Sequence, residues 1–287
     1  MKIDNILNVI TSDALDNFLE FLKKEYALDY SGYSQAFVMR RVAGFLEQRN
    51  INNLDILEKL FLQRPELVKD LEQELSINYT EMFRNPPFFD SLRKHVFPFL
   101  STYPTLKIWH AGCSTGEEIY SLAILLDEVG LLGRSKIYAS DINHNALEKA
   151  SKGIFDTTRM KEFTSNYHKA GGKKDFSNYY SSGYGQLKFQ ENLRKRVTFQ
   201  QHNLISDPCI DRFNLVLCRN VMIYFNSELQ NGVVGLLRDS LCNLGYLGLG
   251  ATETLSFNQH KSEFAVIDKN EKIYRKVSLS EWTKCKN

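Results

Sequence analysis

A chain of 287 residues, 43% of them apolar and with a net charge of +2, allows one large domain or a domain with an appendage, with enough apolar side chains for a real core. The charge is shared unevenly: the first 75 residues carry nine Lys and Arg against thirteen Asp and Glu, which leaves +6 on the remainder. A surplus that small suits an acidic substrate and falls far short of the dense basic face of a nucleic-acid binder.

Leu15, Phe18, Leu19, Leu22 and Tyr26 recur at helical spacing behind Ser12, which reads as an N-cap, and predict a helix over 12–26. Further helices are expected near 34–49 and 54–63, and a fourth from Pro65 with Leu67, Val68, Leu71 and Leu75 on one face. No strand pattern precedes residue 100, so 1–75 reads as a small helical domain and 76–287 as an α/β domain. The joint, SINYTEMFRNPP over 76–87, follows neither period and is too polar for an inert linker. It contains Asn85-Pro86-Pro87-Phe88, a match to the N-P-P-[YF] signature with which amino-methyltransferases hold an adenine or cytosine amine. That signature closes an apolar strand, and no strand-like run stands before it. The two prolines read as a helix start leading into Phe88, Phe89, Leu92, Val96 and Leu100.

The stretch LKIWHAGCSTGEEIY, 106–120, predicts a strand, a tight turn and a helix. Glycines in such a turn, Gly112 and Gly116, allow positive φ and a close approach of backbone to ligand. The next strand, KIYAS over 136–140, ends in Asp141, 25 residues beyond Gly116, where an acid accepts both hydroxyls of a ribose. The turn is not G-x-G-x-x-G, so the spacing suits a single nucleoside, such as that of S-adenosylmethionine, better than a dinucleotide. After a short helix, NALEKASKG, residues 163–196 hold five Lys, two Arg, four Tyr and four Gly. QLKFQENL and KRVTFQQ alternate there well enough to predict a hairpin or small β-subdomain insert, a natural partner-recognition element. VTFQQHNL (197–204) and FNLVLCRNVMIYF (213–225) return to the sheet, the second as a buried parallel strand followed by a polar pair, Arg219-Asn220, and an aromatic, Tyr224; a helix is expected over 227–243, and YLGLGATETL and EKIYRKV supply two last strands.

Five cysteines, Cys113, Cys209, Cys218, Cys242 and Cys285, are odd in number and fit neither C-x-x-C nor a disulfide framework, which points to a reducing compartment. The start, MKIDNILNVITSD, is too short and polar for a signal peptide, and no apolar run has membrane-spanning length. A cytoplasmic protein is expected.

The set INYTEMFRNPPFF, IWHAGCSTGEEIYSLA, YASDINHNALEKASKGIF, NLVLCRNVMIYF and GYLGLGATETL closely resembles the CheR family, the S-adenosylmethionine-dependent glutamate O-methyltransferases that modify bacterial chemoreceptors. The resemblance covers nearly the whole chain. It implies a class I, Rossmann-like methyltransferase sheet with helices on both faces, S-adenosylmethionine as cofactor with S-adenosylhomocysteine as product, and no metal. Asn78, Thr80 and Arg84 would line the cofactor site from the joint, with Gly112 in the turn. Glu118 would contact the methionyl part, although the sequence does not separate it from Glu117. Asp141 would hold the ribose, Asn203 and Leu204 the adenine side, and Cys218 with Arg219 the far wall. Arg84, Arg219 and Tyr224 would surround the methyl acceptor. The implied partner is a protein substrate, a helical chemoreceptor cytoplasmic domain or related signalling protein, with no nucleic acid and no membrane insertion. Two departures bear on that partner. The family's second helix is strongly basic, yet FVMRRVAGFLEQR keeps only Arg40, Arg41 and Arg49, and the 163–196 insert differs in length and composition from receptor-tethered members.

A glutamate acceptor is ionised at pH 7, its ordinary pKa being about 4.3, so the reaction needs no general base. Geometry and a dry pocket remain to be supplied, with Arg84 or Arg219 orienting the carboxylate in a pairing shared with Tyr224. Two alternatives stay open: a methyltransferase of the same fold with another acceptor, and a non-catalytic S-adenosylmethionine-binding module.

Overall fold

The computed structural model describes residues 10–75 and 80–277. They form two units, one of the described residues up to 75 with Tyr224–Gln230, the other of the rest.

The first unit contains α1 (Ser12–Tyr26), α2 (Gln35–Gln48), α3 (Leu54–Gln63) and α4 (Glu66–Leu75). The cap of α1 is Thr11, whose hydroxyl accepts from the N–H of Ala14, rather than Ser12, one residue later than the structure requires. Phe18, Val42, Phe45, Leu57, Phe61 and Leu71 are fully buried, and complete burial of one such side chain contributes about 1.5–3 kcal/mol. Two of the three arginines of the basic stretch are engaged within the unit: Arg41 with Glu74 at 3.3 Å, and Arg49 with Asp70 at 2.9 Å and over the Phe45 ring. Arg40 is exposed. Residues 224–226 are stitched in by backbone hydrogen bonds, Ser34 N–H to the Tyr224 carbonyl and Asn226 N–H to the Gly32 carbonyl.

The second unit begins with α5 (Pro86–Ser91), started by the two prolines after Asn85. There follow β1 (Leu106–Ala111), α6 (Glu117–Glu128), β2 (Ser135–Asp141), α7 (His144–Lys152), β3 (Ile154–Asp156), α8 (Met160–Lys169), β4 (Tyr180–Gly183), β5 (Gln186–Phe189), β6 (Val197–Gln201) and β7 (Phe213–Cys218). The chain closes with α9 (Ser227–Asp239), whose first turn belongs to the other unit, then β8 (Leu241–Leu249), β9 (Phe264–Asp268) and β10 (Ile273–Lys276). The main sheet has seven strands in the order β6-β2-β1-β7-β8-β10-β9. β6, β2, β1, β7 and β8 are parallel, and β10 runs against both β8 and β9. This is a Rossmann-like sheet, as expected. Its order reverses between β1 and β7, and in an open parallel sheet that is where a crevice opens at the strands' carboxyl ends.

The strand in FNLVLCRNVMIYF ends at Cys218, ahead of the polar pair Arg219-Asn220, because Asn220 turns left-handed (φ +59°) and Met222–Tyr224 is a 3₁₀ turn. Two expectations change. The helix after this run stops at Asp239, and LCNLGYLGL is already β8, paired with β7 from Leu241 onward. The strand β9, FAVID, has too short a pattern to mark a strand in the sequence, only five residues at the sheet edge. β4 and β5, in the 163–196 region, join β3, which precedes it, in a separate three-stranded antiparallel sheet of order β3-β5-β4, whereas KRVTFQQ joins the main sheet as β6.

Candidate functional site

The carboxyl ends of β1, β2 and β7 converge on the turn 112–116. Gly112 (φ +73°), Ser114 (φ +50°) and Gly116 (φ +94°) are all left-handed, so the backbone doubles back on itself. The N–H groups of Gly112 and Cys113 both donate to the Ser140 carbonyl, at 2.8 and 2.9 Å, which ties the turn to the last residues of β2. A Cβ on Gly112 would stand 2.4 Å from Cγ2 of Val221. Val221 therefore sets one limit on any side chain at this position, and the φ of +73° sets another. Ser114 N–H donates to Asp141 Oδ2 at 2.7 Å, and Asn143 N–H to Oδ1 at 2.9 Å. Asp141 is half-buried, and burial pushes its pKa up against these two donors. Each oxygen keeps acceptor capacity. Ser114 Oγ, beside it, is buried without a hydrogen-bond partner.

Helix α6 separates the two adjacent glutamates by about 100° of rotation. Glu117 is half-buried and accepts from the Thr115 hydroxyl at 2.6 Å; burial raises its pKa. Glu118 is turned inward. Its Oε2 receives Arg219 Nη1 at 2.6 Å, and its Oε1 lies 3.0 Å from Nε2 of His110, the histidine on β1. The Arg219 side chain is 1% exposed and that of Glu118 5%. Burial opposes the charge on Glu118, but Arg219 and the His110 contact outweigh it and hold the carboxyl at about 2. Arg219 is also engaged elsewhere: Nη2 donates to the Arg84 carbonyl at 3.1 Å, and the guanidinium lies 3.9 Å from the centre of the Phe88 ring. The residue expected to face an incoming carboxylate is therefore the internal counter-ion of Glu118. Because the Glu118 pKa lies below its ordinary 4.5, the pair's contribution is fully present above pH 4.5 and is lost as pH falls toward 2. Acid titration of urea unfolding is expected to lose on the order of 3 kcal/mol from this group over that window, and Glu118→Gln should remove the slope.

Asn78 lies outside the described residues. Thr80 is half-buried, and its carbonyl accepts from Arg159 Nη1 at 3.1 Å. Phe83 (φ +53°) and Asn85 (φ +56°) flank Arg84 in left-handed backbone, a costly arrangement, typically 1–3 kcal/mol per residue. Neighbours hold it: Phe83 N–H donates to Ser121 Oγ at 2.8 Å, Asn166 Nδ2 to the Met82 carbonyl at 3.2 Å, and Asn85 Nδ2 to Glu271 Oε2 at 2.7 Å. After β6, Asn203 Oδ1 accepts from Ile205 N–H at 2.9 Å and Leu204 is buried. Cys218 closes β7, fully buried, its thiol pushed well up by burial. Tyr224 belongs to the helical unit, half-buried, its ring 4.7 Å from that of Phe37. The described cysteines, 113, 209, 218 and 242, are free thiols. No helix among the described residues is long and apolar enough to cross a membrane.

Sequence reasoning missed Glu253, His110 and Arg159. The one available signal for His110 was a histidine inside an apolar strand. Glu253 offered only an acid after a glycine-rich strand end. Arg159 gave none.

The family model described as CheR methyltransferase, SAM binding domain, matches residues 78–273. The "Putative methyltransferase Cher3" of Pseudomonas putida is 42% identical over 258 residues, covering 90% of this chain and 94% of that one. Chemotaxis protein methyltransferase 1 of Pseudomonas aeruginosa is 31% identical over 251 residues, 83% of this chain and 89% of its own. The chemotaxis protein methyltransferase of Borreliella burgdorferi is 30% identical over 273 residues, 88% and 93% of the two chains.

Proposed function

Because the chain belongs to the CheR methyltransferase family and is an S-adenosylmethionine-dependent methyltransferase, we propose that it esterifies glutamate side chains of a protein, a helical chemoreceptor cytoplasmic domain or related signalling protein. The observation that carries the donor half is the meeting of Asp141, Ser114 and the Glu118–Arg219 pair at the ends of adjacent parallel strands. Relatives named as chemotaxis protein methyltransferases support the acceptor. Free thiols suit the cytoplasm.

The donor set fits the cofactor. Asp141 has lone pairs to spare for a ribose diol, the orphaned Ser114 hydroxyl needs a partner, and Glu118 supplies a fixed anion for a methionyl ammonium. When bound, the cofactor supplies an electrophilic methyl on a sulfonium. Asn203 and Leu204 stand on the adenine side, Cys218, buried at the end of β7, belongs to the far wall with Arg219, and Thr80 lines the site from the joint. Arg84 orients the incoming carboxylate by a charge-assisted hydrogen bond. Arg219 acts behind it, fixing the Arg84 carbonyl and Glu118 together.

Incubation with methyl-labelled cofactor and a lysate of the source organism is expected to label a protein that releases methanol in mild base. Label that resists base would overturn the ester. In the same assay Arg84→Ala should lower turnover at least tenfold while the Kd for S-adenosylhomocysteine stays within about threefold. A matching loss of affinity would move Arg84 to the donor side.

A further inference from the structure

Glu253 is a buried carboxylate on the loop after β8. It is 5% exposed, and each of its oxygens receives two backbone N–H groups. Oε1 takes those of Val221 at 3.0 Å and Met222 at 2.8 Å; Oε2 takes those of Asn220 at 2.9 Å and Gly250 at 2.6 Å. Three consecutive donors on one carboxylate define the backbone of 220–222, including the left-handed Asn220. Gly250 makes room for this, since a Cβ there would stand 2.7 Å from Glu253 Oε2 and 2.8 Å from Asn220 N. The loop so held touches the donor site twice. Val221 fills the space a Cβ on Gly112 would need, and Arg219, the residue before the clamped triplet, is the counter-ion of Glu118.

We infer that Glu253 is a positioning residue of the donor site, presetting through Val221 and Arg219 the turn at Gly112 and the carboxylate of Glu118. The inference rests on the reading of that crevice as the S-adenosylmethionine site. Glu253→Gln keeps the shape but places an amide donor against two N–H donors, leaving those groups without an acceptor. Calorimetry with S-adenosylhomocysteine is expected to show a Kd at least tenfold weaker for Glu253→Gln. Leu237→Ala, a core truncation on α9, should lose at least as much melting temperature and keep the wild-type Kd. A change under tenfold in Glu253→Gln, or parallel weakening in Leu237→Ala, overturns the inference. Wild-type protein that binds no S-adenosylhomocysteine would sink the donor reading itself. If Glu253→Gln fails to fold, hydrogen exchange on the wild type decides: the amides of Asn220–Met222 are expected to be protected without ligand, and protection seen only after S-adenosylhomocysteine is added overturns the presetting.

Discussion

Replacing Arg219 by methionine is expected to cost about 3–5 kcal/mol of stability in urea unfolding, the usual consequence of leaving a buried partner charge unpaired. Methionine fills much of the same volume over Phe88, so the loss is chiefly electrostatic. Glu118 cannot relieve itself by moving to water, because its side chain is 5% exposed and its other contact is the neighbouring His110. Protonation is its one escape, because without the Arg219 charge burial raises its pKa from about 2 toward or above the ordinary carboxylate value. Adding Glu118→Gln to Arg219→Met should therefore recover part of the stability, as a double-mutant cycle with coupling energy above about 1 kcal/mol. A single-variant loss below 1 kcal/mol would mean the pair is solvated and the fixed-anion role falls.

The second large effect is expected at Asp141. Asp141→Asn retains size but one acceptor oxygen, whereas the aspartate holds Ser114 N–H and Asn143 N–H on separate oxygens. The amide must turn a donor toward one of those N–H groups or toward the ribose diol. Losing one hydrogen bond to a charged group costs about 1.5–3 kcal/mol, so the Kd for S-adenosylhomocysteine should rise roughly 10- to 150-fold. Adenine alone, lacking a ribose, is expected to bind wild type and variant alike. A nucleoside affinity unchanged by Asp141→Asn would remove the acid from the site.

The elements that were legible in the sequence are those whose period reports a single buried face. Leu15, Phe18, Leu22 and their successors mark α1 because nothing competes with the helical stripe. The apolar run ending at Cys218 marks β7 for the same reason. Position in space was not legible. Glu117 and Glu118 are chemically identical in sequence, and which one is buried depends on how α6 sits against β1 and Arg219, 101 residues further along. The Arg219 partner, the Glu253 clamp and the β8 segment read as the end of α9 all depend on pairings distant in the chain. At LCNLGYLGL, pairing with β7 overrides a local preference that continues the helix. Tyr224 shows the same limit: its place after the polar pair Arg219-Asn220 is legible, but the partner of its ring, Phe37, lies far off in the chain.

The helical unit is discontinuous along the chain. Tyr33 forms a strand-like bridge to Phe225 with their rings 5.1 Å apart, and Gly32 has no side chain because Leu229 occupies that space. During synthesis the first helices emerge long before those partners, with about 150 residues, 78–223, still to be made. At 5–20 residues per second that delay is roughly 7 to 30 s, during which Tyr33 lacks the Phe225 ring and Phe37 the Tyr224 ring. A nascent chain stalled after residue 80 should therefore expose an aromatic surface that chaperones recognise, and one released after residue 235 should not.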